Sequence, residues 1–305
     1  MVERTVADLI VDRLETWGVR RIFGYSGDGI NAFMGALRRA QDRVEFVQAR
    51  HEENAAFMAV GHAKYSGDVG VVTSTQGPGA VHLLNGLYDA KLDGVPVVAI
   101  IGQQSTSVLG SAYMQEIDLP ALVKDVAPAF AQQVAAAEQL PMVLDRAFRA
   151  ALTERGPAVV IVPHDLQKQP APDLGQEHGI VVTAPTWARP RILPAEDDLA
   201  AAAELLNAGS RVALLVGQGS RHARDEVLAV ARALGAGITT SLLGKPYVDE
   251  TLPFVVGTMG HLGTTASAFL MSTCDTLLIV GSNDPRGPSS ALLQMVLFWA
   301  IKPAW

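Results

Sequence analysis

Several kinds of residue are scarce in this sequence, and each scarcity argues against a class of protein. One cysteine, Cys274, among 305 residues excludes a disulfide framework and a cysteine-built metal cluster, and it is typical of a reducing cytoplasm. Lys and Arg number 24 against 31 Asp and Glu, and the net charge of −7 argues against a nucleic-acid partner, which needs a basic face. No apolar run reaches the roughly 20 residues of a membrane span. Because Glu3, Arg4 and Asp8 are unlike a signal peptide, we predict a cytoplasmic protein.

The sequence does contain a regular alternation of strand and helix patterns, which is typical of parallel sheets. Helical spacing of apolar residues separates the predicted strands. These strands cover 21–24, 44–47, 69–73, 95–101 and 158–162, and later 212–216, 238–240 and 276–280. At about 150 residues per domain the length suits two units. The predicted fold is α/β, with two doubly wound parallel-sheet domains.

A proline-rich stretch divides the two groups of elements. Residues 169–194 hold five prolines and show no amphipathic period, so we interpret them as an extended linker. This interpretation gives a first domain over 1–168 and a second that begins at residue 195.

Three short motifs could carry chemistry, although each alone has an ordinary structural explanation. His51-Glu52-Glu53 begins a predicted helix, where acidic residues favour the helix dipole. Gly77-Pro78-Gly79 precedes another helix and forms either an anion-binding nest or a tight turn. Gly217-Gln218-Gly219 follows a strand as a nucleotide-binding turn does, but it lacks the third glycine of the dinucleotide fingerprint. The single histidines His62, His82 and His261 suit structural or surface roles.

The order and spacing of the motifs indicate more than any one of them alone. In the first domain they are Gly24 to Asn31, Arg50 to Ala59, Thr75 to Ala80, Leu87 to Ala90, Pro96 to Gln103, Tyr113 to Asp118 and Gly156 to Pro163. This series resembles the pyrimidine-binding domain of thiamine-diphosphate enzymes, and among these the pyruvate oxidase and acetolactate synthase group. The resemblance continues in the second domain through Leu215 to Gly219, Gly257 to Gly263 and Leu278 to Asp284.

The resemblance implies thiamine diphosphate as cofactor and a 2-keto acid such as pyruvate as substrate. In that family the glutamate of the His-Glu pair hydrogen-bonds the cofactor's aminopyrimidine and activates the cofactor, and here that residue is Glu52. Asp28 falls where related decarboxylases place a catalytic aspartate, and Gln115 matches a glutamine near the substrate. Residues 103–107 lack the two histidines that those decarboxylases use. The cofactor-binding positions implied in this domain are Gly24, Ser26, Gly27, Gly77, Pro78 and Gly79.

The same resemblance raises the question of a flavin in the second domain. That domain binds FAD in oxidases and synthases, where glycines let the dinucleotide approach the backbone. The matching positions here are Gly217, Gly219, Gly260 and Gly263. Because some relatives have lost the flavin, FAD is an optional cofactor in this interpretation.

A third domain, which binds Mg²⁺ and the cofactor's diphosphate in family members, has no counterpart in the sequence. Gly27-Asp28-Gly29 followed by Asn54 imitates the signature of that domain, but Asn54 falls inside a predicted helix, so we predict no metal ligands. The resemblance ends near Pro285 and leaves a divergent apolar tail, 286–305. We therefore expect a truncated or frameshifted product whose second domain, 195–285, is incomplete and which is inactive alone.

Three functions stay open at this point. The first is a thiamine-diphosphate enzyme of the oxidase or synthase type, represented by two of its domains and forming homo-oligomers in full-length relatives. The second is a non-catalytic protein that retains the fold and associates with full-length relatives. The third is a flavin-binding module without thiamine chemistry.

Overall fold

In the computed structural model the chain forms two compact units, each built around a parallel β-sheet. The structure describes residues 4–173, 178, 181–190 and 193–282, together with the backbone of 294–298. The first unit runs to Arg189, and the second begins at Pro190. The predicted end of the second domain at residue 285 lies outside the described residues, as does most of the predicted tail.

The first unit is a six-stranded sheet with helices on both faces. Its strands are β1 (Arg21–Gly24), β2 (Glu45–Gln48), β3 (Gly70–Ser74), β4 (Val97–Gln103), β5 (Ala131–Gln133) and β6 (Pro157–Pro163). Its helices are α1 (Val6–Thr16), α2 (Asn31–Arg39), α3 (Glu52–Ser66), α4 (Pro78–Asp93), α5 (Leu119–Val123), α6 (Leu140–Glu154) and α7 (His164–Lys168). All pairs are parallel, and the strand order is β2-β1-β3-β4-β6-β5. The chain order therefore reverses between β1 and β3.

The second unit is a five-stranded parallel sheet. Its strands are β7 (Val212–Val216), β8 (Gly237–Thr240), β9 (Val255–Thr258), β10 (Thr276–Val280) and β11 (Gln294–Phe298), and its helices are α8 (Glu196–Ala208), α9 (Arg224–Leu234) and α10 (Thr265–Thr273). The strand order is β11-β10-β7-β8-β9, so the chain order reverses between β7 and β10. These two sheets confirm the predicted α/β class. The structure adds β11, which pairs with β10 and lies within the predicted tail.

The core of the first unit lies in two layers, one on each face of the sheet. Val98 and Ile100 of β4 pack with α1, α2 and α6, whereas Val97 and Ala99 pack with α3 and α4 on the opposite face. A strand that is covered on both faces has no polar side, which is why β4 is a continuous apolar run in the sequence. Of the helices in the described part of the chain, none combines the length and apolar character needed to cross a membrane.

Part of the predicted linker packs on the first unit. Pro170 forms an antiparallel bridge with Thr5. Farther along, Thr183 donates its hydroxyl to the buried carboxylate of Asp145 at 2.8 Å, and its own carbonyl accepts a hydrogen bond from Arg13 at 2.7 Å. Asp145 also accepts from Arg13 Nε at 2.9 Å and from Trp17 Nε1 at 2.8 Å. This one carboxylate therefore joins α1, α6 and the segment after α7.

The loop between β4 and α5 is shaped by the carboxylate of Glu116. The backbone N–H groups of Gly110 and Tyr113 donate to it, the latter at 3.0 Å, and these donors hold the pKa of the Glu116 carboxyl below its usual range. Gln104 Nε2 donates to the carbonyl of Met114 at 2.7 Å and fixes the loop from the strand side. The neighbouring Gln115 has a φ of +62°, a left-handed conformation that a non-glycine residue holds only when its surroundings impose it.

Replacing Asp145 with asparagine is expected to destabilise the first unit by about 3 kcal/mol, because the Arg13 charge then loses its buried partner. Urea unfolding followed by tryptophan fluorescence and circular dichroism measures the change. The matched control is Asp12→Asn. Asp12 is paired with two arginines, Arg4 and Arg43, but these pairs lie on the surface, where each contributes less than about 1 kcal/mol. Equal effects of the two substitutions would contradict the importance of the buried pairing.

Acid is expected to loosen the loop that carries Gln115. Since the folded-state pKa of Glu116 is lowered, its carboxylate stabilises the loop above the ordinary glutamate pKa of about 4.3. This contribution is lost as the pH falls through the lower folded-state value. Hydrogen–deuterium exchange of residues 110–115, corrected for intrinsic rates, should rise in that acid range.

Two variants control this experiment. Glu116→Gln removes the charge, so its loop should exchange faster than wild type at neutral pH and respond less to acid. Glu138→Gln changes an exposed glutamate in the turn before α6 and should behave as wild type. A wild-type loop whose exchange is insensitive to acid, or matches that of Glu116→Gln, would show that the carboxylate does not hold the loop.

Candidate active site

Two loops meet at the carboxyl end of the first sheet, where the strand order reverses between β1 and β3. Open α/β sheets bind their ligands in the crevice at such a point. The β1 loop, residues 24–29, follows β1, and the β3 loop, residues 75–79, leads from β3 into α4. The N–H of Gly29 donates to Thr75 Oγ1 at 3.1 Å. A Cβ on Gly27 would fall 2.4 Å from Thr75 Cβ, so this approach requires glycine at position 27, and a Cβ on Gly29 would displace the side chain of Gln76.

The predicted cofactor-binding residues of the first domain all lie in these two loops or at their ends. Gly24, Ser26 and Gly27 belong to the β1 loop, and Gly77, Pro78 and Gly79 belong to the β3 loop and the first turn of α4. Gly77 has a φ of +60°, and a Cβ there would meet the carbonyl oxygen of Gln115 at 2.7 Å. The loop of Gln115 thus packs directly on the β3 loop. Contact of these residues with a cofactor stays a prediction.

Asp28 and Gln115, predicted separately, are joined by the amide of Gln76. Gln76 Nε2 lies 3.1 Å from Asp28 Oδ1 and 3.4 Å from Gln115 Oε1, so one amide group donates to both. Its own Oε1 accepts the hydroxyl of Thr75 at 2.5 Å. Gln76 is fully buried, whereas Asp28 is exposed. The result is a fixed polar group whose carboxylate faces the crevice.

Glu52 lies in the first turn of α3, where it is buried. Its Oε2 is 3.0 Å from Nδ1 of His82, which projects from α4. His51, the N-cap of α3, accepts the N–H of Glu53 through its Nδ1 at 3.3 Å. The rings of His51 and His82 stack with their centroids 4.3 Å apart. The next acid along the helix, Glu53, accepts the side-chain amide of Asn85 through one oxygen, and its other oxygen lies 3.9 Å from Nδ1 of His51.

The second oxygen of Glu52 faces a position that has no side chain. A Cβ on Gly79 would lie 3.2 Å from Glu52 Oε1 and 2.9 Å from Thr75 Cγ2. Glycine at position 79 therefore keeps a side chain from pressing on a buried carboxylate oxygen at the start of α4. A carboxylate oxygen that no side chain at position 79 covers is the kind of acceptor that a protonated ring nitrogen requires, so the residues fit the aminopyrimidine of thiamine diphosphate.

Four glycines of the second unit were predicted to contact a flavin, and they differ in how closely they are packed. The N–H groups of Gly217 and Gly219 donate to the carbonyls of Val280 and Gly281, both at 2.8 Å. A Cβ on either glycine would run into the backbone of Gly281, so loop packing alone accounts for both. Gly263 is packed within its own turn. By contrast, Gly260 has a φ of +97° and open space around its Cβ position among the described residues.

The sequence predicted no catalytic or binding role for two residues of this site. His82 was predicted to have a structural or surface role, although it lies three residues after Gly79 and begins the second turn of α4. Gln76 directly follows the buried Thr75 at the end of β3. Both stand at the carboxyl edge of a parallel sheet, and this position is the signal that could have identified them.

Comparison with known proteins places the sequence in a family. Residues 4–122 match the N-terminal TPP binding domain of thiamine pyrophosphate enzymes, and residues 199–291 match the central domain of the same enzymes. Thiamine pyrophosphate is another name for thiamine diphosphate.

Relatives extend the match over most of the chain. YdaP of Bacillus subtilis is 39% identical over 93% of this chain and 49% of its own length. Pyruvate oxidase of Lactiplantibacillus plantarum is 35% identical over 90% of this chain and 45% of its own. Acetolactate synthase isozyme 2 large subunit of Escherichia coli is 34% identical over 90% and 49%. The chain spans about half the length of these relatives. It belongs to the thiamine pyrophosphate enzyme family, with pyruvate oxidase and acetolactate synthase among its homologues.

Proposed function

We propose that this chain supplies the cofactor-activating half of a thiamine-diphosphate enzyme that converts a 2-keto acid such as pyruvate, as an oxidase or a synthase. The observation that carries the proposal is the environment of Glu52. One oxygen of this buried carboxylate is held by His82, and the other lies beside Gly79, where no side chain covers it. That arrangement presents a single acceptor oxygen to a ring nitrogen.

When bound, the cofactor would stabilise the carbanion left on the former carbonyl carbon when the keto acid loses its carboxyl group as CO2. Glu52 would hold a proton between its Oε1 and the aminopyrimidine ring, and the burial of the carboxylate makes this hydrogen bond strong. Gly79 would admit the ring to contact with the start of α4. These two residues therefore bind and orient the reactive ring system.

The polar group formed by Asp28, Gln76 and Gln115 would orient the substrate. Asp28 Oδ1 accepts from the N–H of Gly29 at 2.9 Å as well as from Gln76, so its charge is held by fixed donors. Gln115 turns its Oε1 toward Gln76, so its amide nitrogen lies on the other side of the same terminal amide group. We propose that this nitrogen binds the carboxylate of the keto acid.

The diphosphate and Mg²⁺ would be held by a further domain of the family type. In this proposal the described residues of the chain contribute no metal ligand, so the chain alone binds the cofactor weakly. Completion of the site by another subunit would also make the active form an oligomer, in the cytoplasm as the sequence predicts.

The test is a complementation experiment with a conservative substitution. The chain is mixed with thiamine diphosphate, Mg²⁺ and pyruvate, alone and with a separately expressed diphosphate-binding domain of the family. Pyruvate consumption is expected only in the mixture and should fall at least about 100-fold in Glu52→Gln, because the amide cannot exchange the proton that general acid–base catalysis requires.

The matched control is Glu53→Gln, which changes the next residue of the same helix and should retain most of the wild-type rate. If the mixture consumes no pyruvate while its cofactor is bound, the chain is a non-catalytic partner of full-length relatives. If Glu52→Gln is as active as wild type, the assigned role of Glu52 is wrong.

A flavin in the second unit is a separate proposal. It is supported by the crevice at the reversal between β7 and β10 and by the open, left-handed Gly260, whereas Gly217 and Gly219 serve loop packing. The chain purified after expression with riboflavin should carry the visible absorbance of oxidised FAD. Gly260→Val should lower the bound fraction, because a branched side chain is strained at a φ of +97° and fills the open space. A colourless protein that fails to bind added FAD would contradict this proposal.

A further inference from the structure

The carboxyl group of Glu52 is buried, so a proton on it can reach solvent only through a neighbouring group. The Glu52 side chain is 10% exposed, whereas the side chain of His82, in contact with it, is 42% exposed. Their contact is short, with 3.0 Å between Oε2 and Nδ1. Imidazole has a second nitrogen on the far edge of the ring, so one group can contact the carboxylate and water together.

We infer that His82 is a positioning residue that fixes Glu52 Oε2 and exchanges the proton of Glu52 with solvent. The proton on Oε2 passes to Nδ1 of a neutral His82 that carries its own proton on Nε2, and the imidazolium so formed releases that Nε2 proton to water. The step leaves a carboxylate on Glu52 and a neutral His82 whose proton is on Nδ1. In the reverse direction a proton enters at Nε2, and Nδ1 returns its own to the carboxylate. No oxidant or co-reactant is required. The inference rests on the proposed function of Glu52.

The neighbouring histidine, His51, suits a supporting role instead. Its Nδ1 accepts the N–H of Glu53 at 3.3 Å and therefore caps α3. Its ring stacks on His82 at 4.3 Å between centroids, with 29° between the planes, and so restricts rotation of His82. The charged group that faces His51 is Glu53, whose Oε2 lies 3.9 Å from Nδ1. The stack thus keeps His82 aligned with Glu52.

Gly79 and Thr75 border the other oxygen of Glu52, and neither residue has a side chain that ionises near neutral pH. The atoms nearest to the Cβ position of Gly79 are Thr75 Cγ2, Glu52 Oε1 and Ser74 Cβ. In the described part of the chain His82 is therefore the titratable side chain that shares a hydrogen bond with Glu52. This leaves Oε1 for the cofactor and assigns Oε2 to proton exchange.

The first test needs no cofactor. In the full chain labelled with ¹⁵N-histidine, the imidazole nitrogen shifts at neutral pH report which nitrogen carries the proton. His82 should hold its proton on Nδ1, and in Glu52→Ala it should change to the Nε2 tautomer that free imidazole side chains favour. Glu53→Gln is the matched control and should retain the wild-type tautomer. An unchanged His82 signal in Glu52→Ala would overturn the inference.

The second test follows exchange of the thiazolium C2 proton of thiamine diphosphate for deuterium, by NMR after acid quench. The full chain is mixed with Mg²⁺, thiamine diphosphate and the separately expressed diphosphate-binding domain. His82→Asn places an amide near the position of Nδ1, so it keeps a hydrogen bond but cannot relay a proton. Both His82→Asn and His82→Ala should exchange at least about tenfold more slowly than wild type. His164→Asn, a change on α7, should exchange as wild type.

Added imidazole separates proton exchange from a purely structural role. Millimolar imidazole should restore exchange in His82→Ala, because a small base can occupy the vacated space, and circular dichroism checks that the variant is folded. Wild-type rates in His82→Asn, or no rescue of a folded His82→Ala, would overturn the role of His82 while leaving that of Glu52 intact. A wild-type mixture that does not accelerate C2 exchange would instead contradict the proposed function, and this inference with it.

Discussion

The contact between the loops after β1 and β3 is the constraint on which the rest of the site depends. Parallel pairing brings both carboxyl ends to the same edge of the sheet, and the absence of side chains at Gly27 and Gly29 lets the two backbones approach. The approach buries Gln76, which then links Asp28 to Gln115. A larger residue at position 27 would separate the loops, and one at position 29 would displace the side chain of Gln76 that links these polar groups.

Burying the carboxylate of Glu52 costs solvation free energy, and nearby interactions must offset this loss. Removing a charge from water is unfavourable unless hydrogen bonds replace the lost solvation. Glu52 lies at the start of α3, where the helix dipole favours negative charge, and it shares a hydrogen bond with His82. Because the partner engages only Oε2, the stabilising interaction and the chemically useful oxygen are separated on one carboxylate. Stability and the proposed reactivity therefore do not compete for the same atom.

Strongly patterned elements could be predicted from the sequence, and those without a pattern could not. The strands at 212–216 and 276–280 were predicted with the bounds that the structure has, since each is a continuous apolar run. Helix α10 was missed because its apolar residues lie all round rather than along one face, and β9 was missed because it is short and interrupted by Gly257. In the site, the motif order identified Glu52. Its contact with His82 could not be predicted, because it depends on how α3 packs against α4.

A structure of the chain assembled with thiamine diphosphate, Mg²⁺ and a diphosphate-binding domain tests the central claim most directly. The quantity to measure is the distance from the aminopyrimidine ring nitrogen to the carboxylate of Glu52. We expect about 2.7–3.0 Å to Oε1, with the ring beside Gly79 and the contact between Oε2 and His82 retained. An aminopyrimidine bound away from Glu52, or one that displaces His82 from Oε2, would contradict the account.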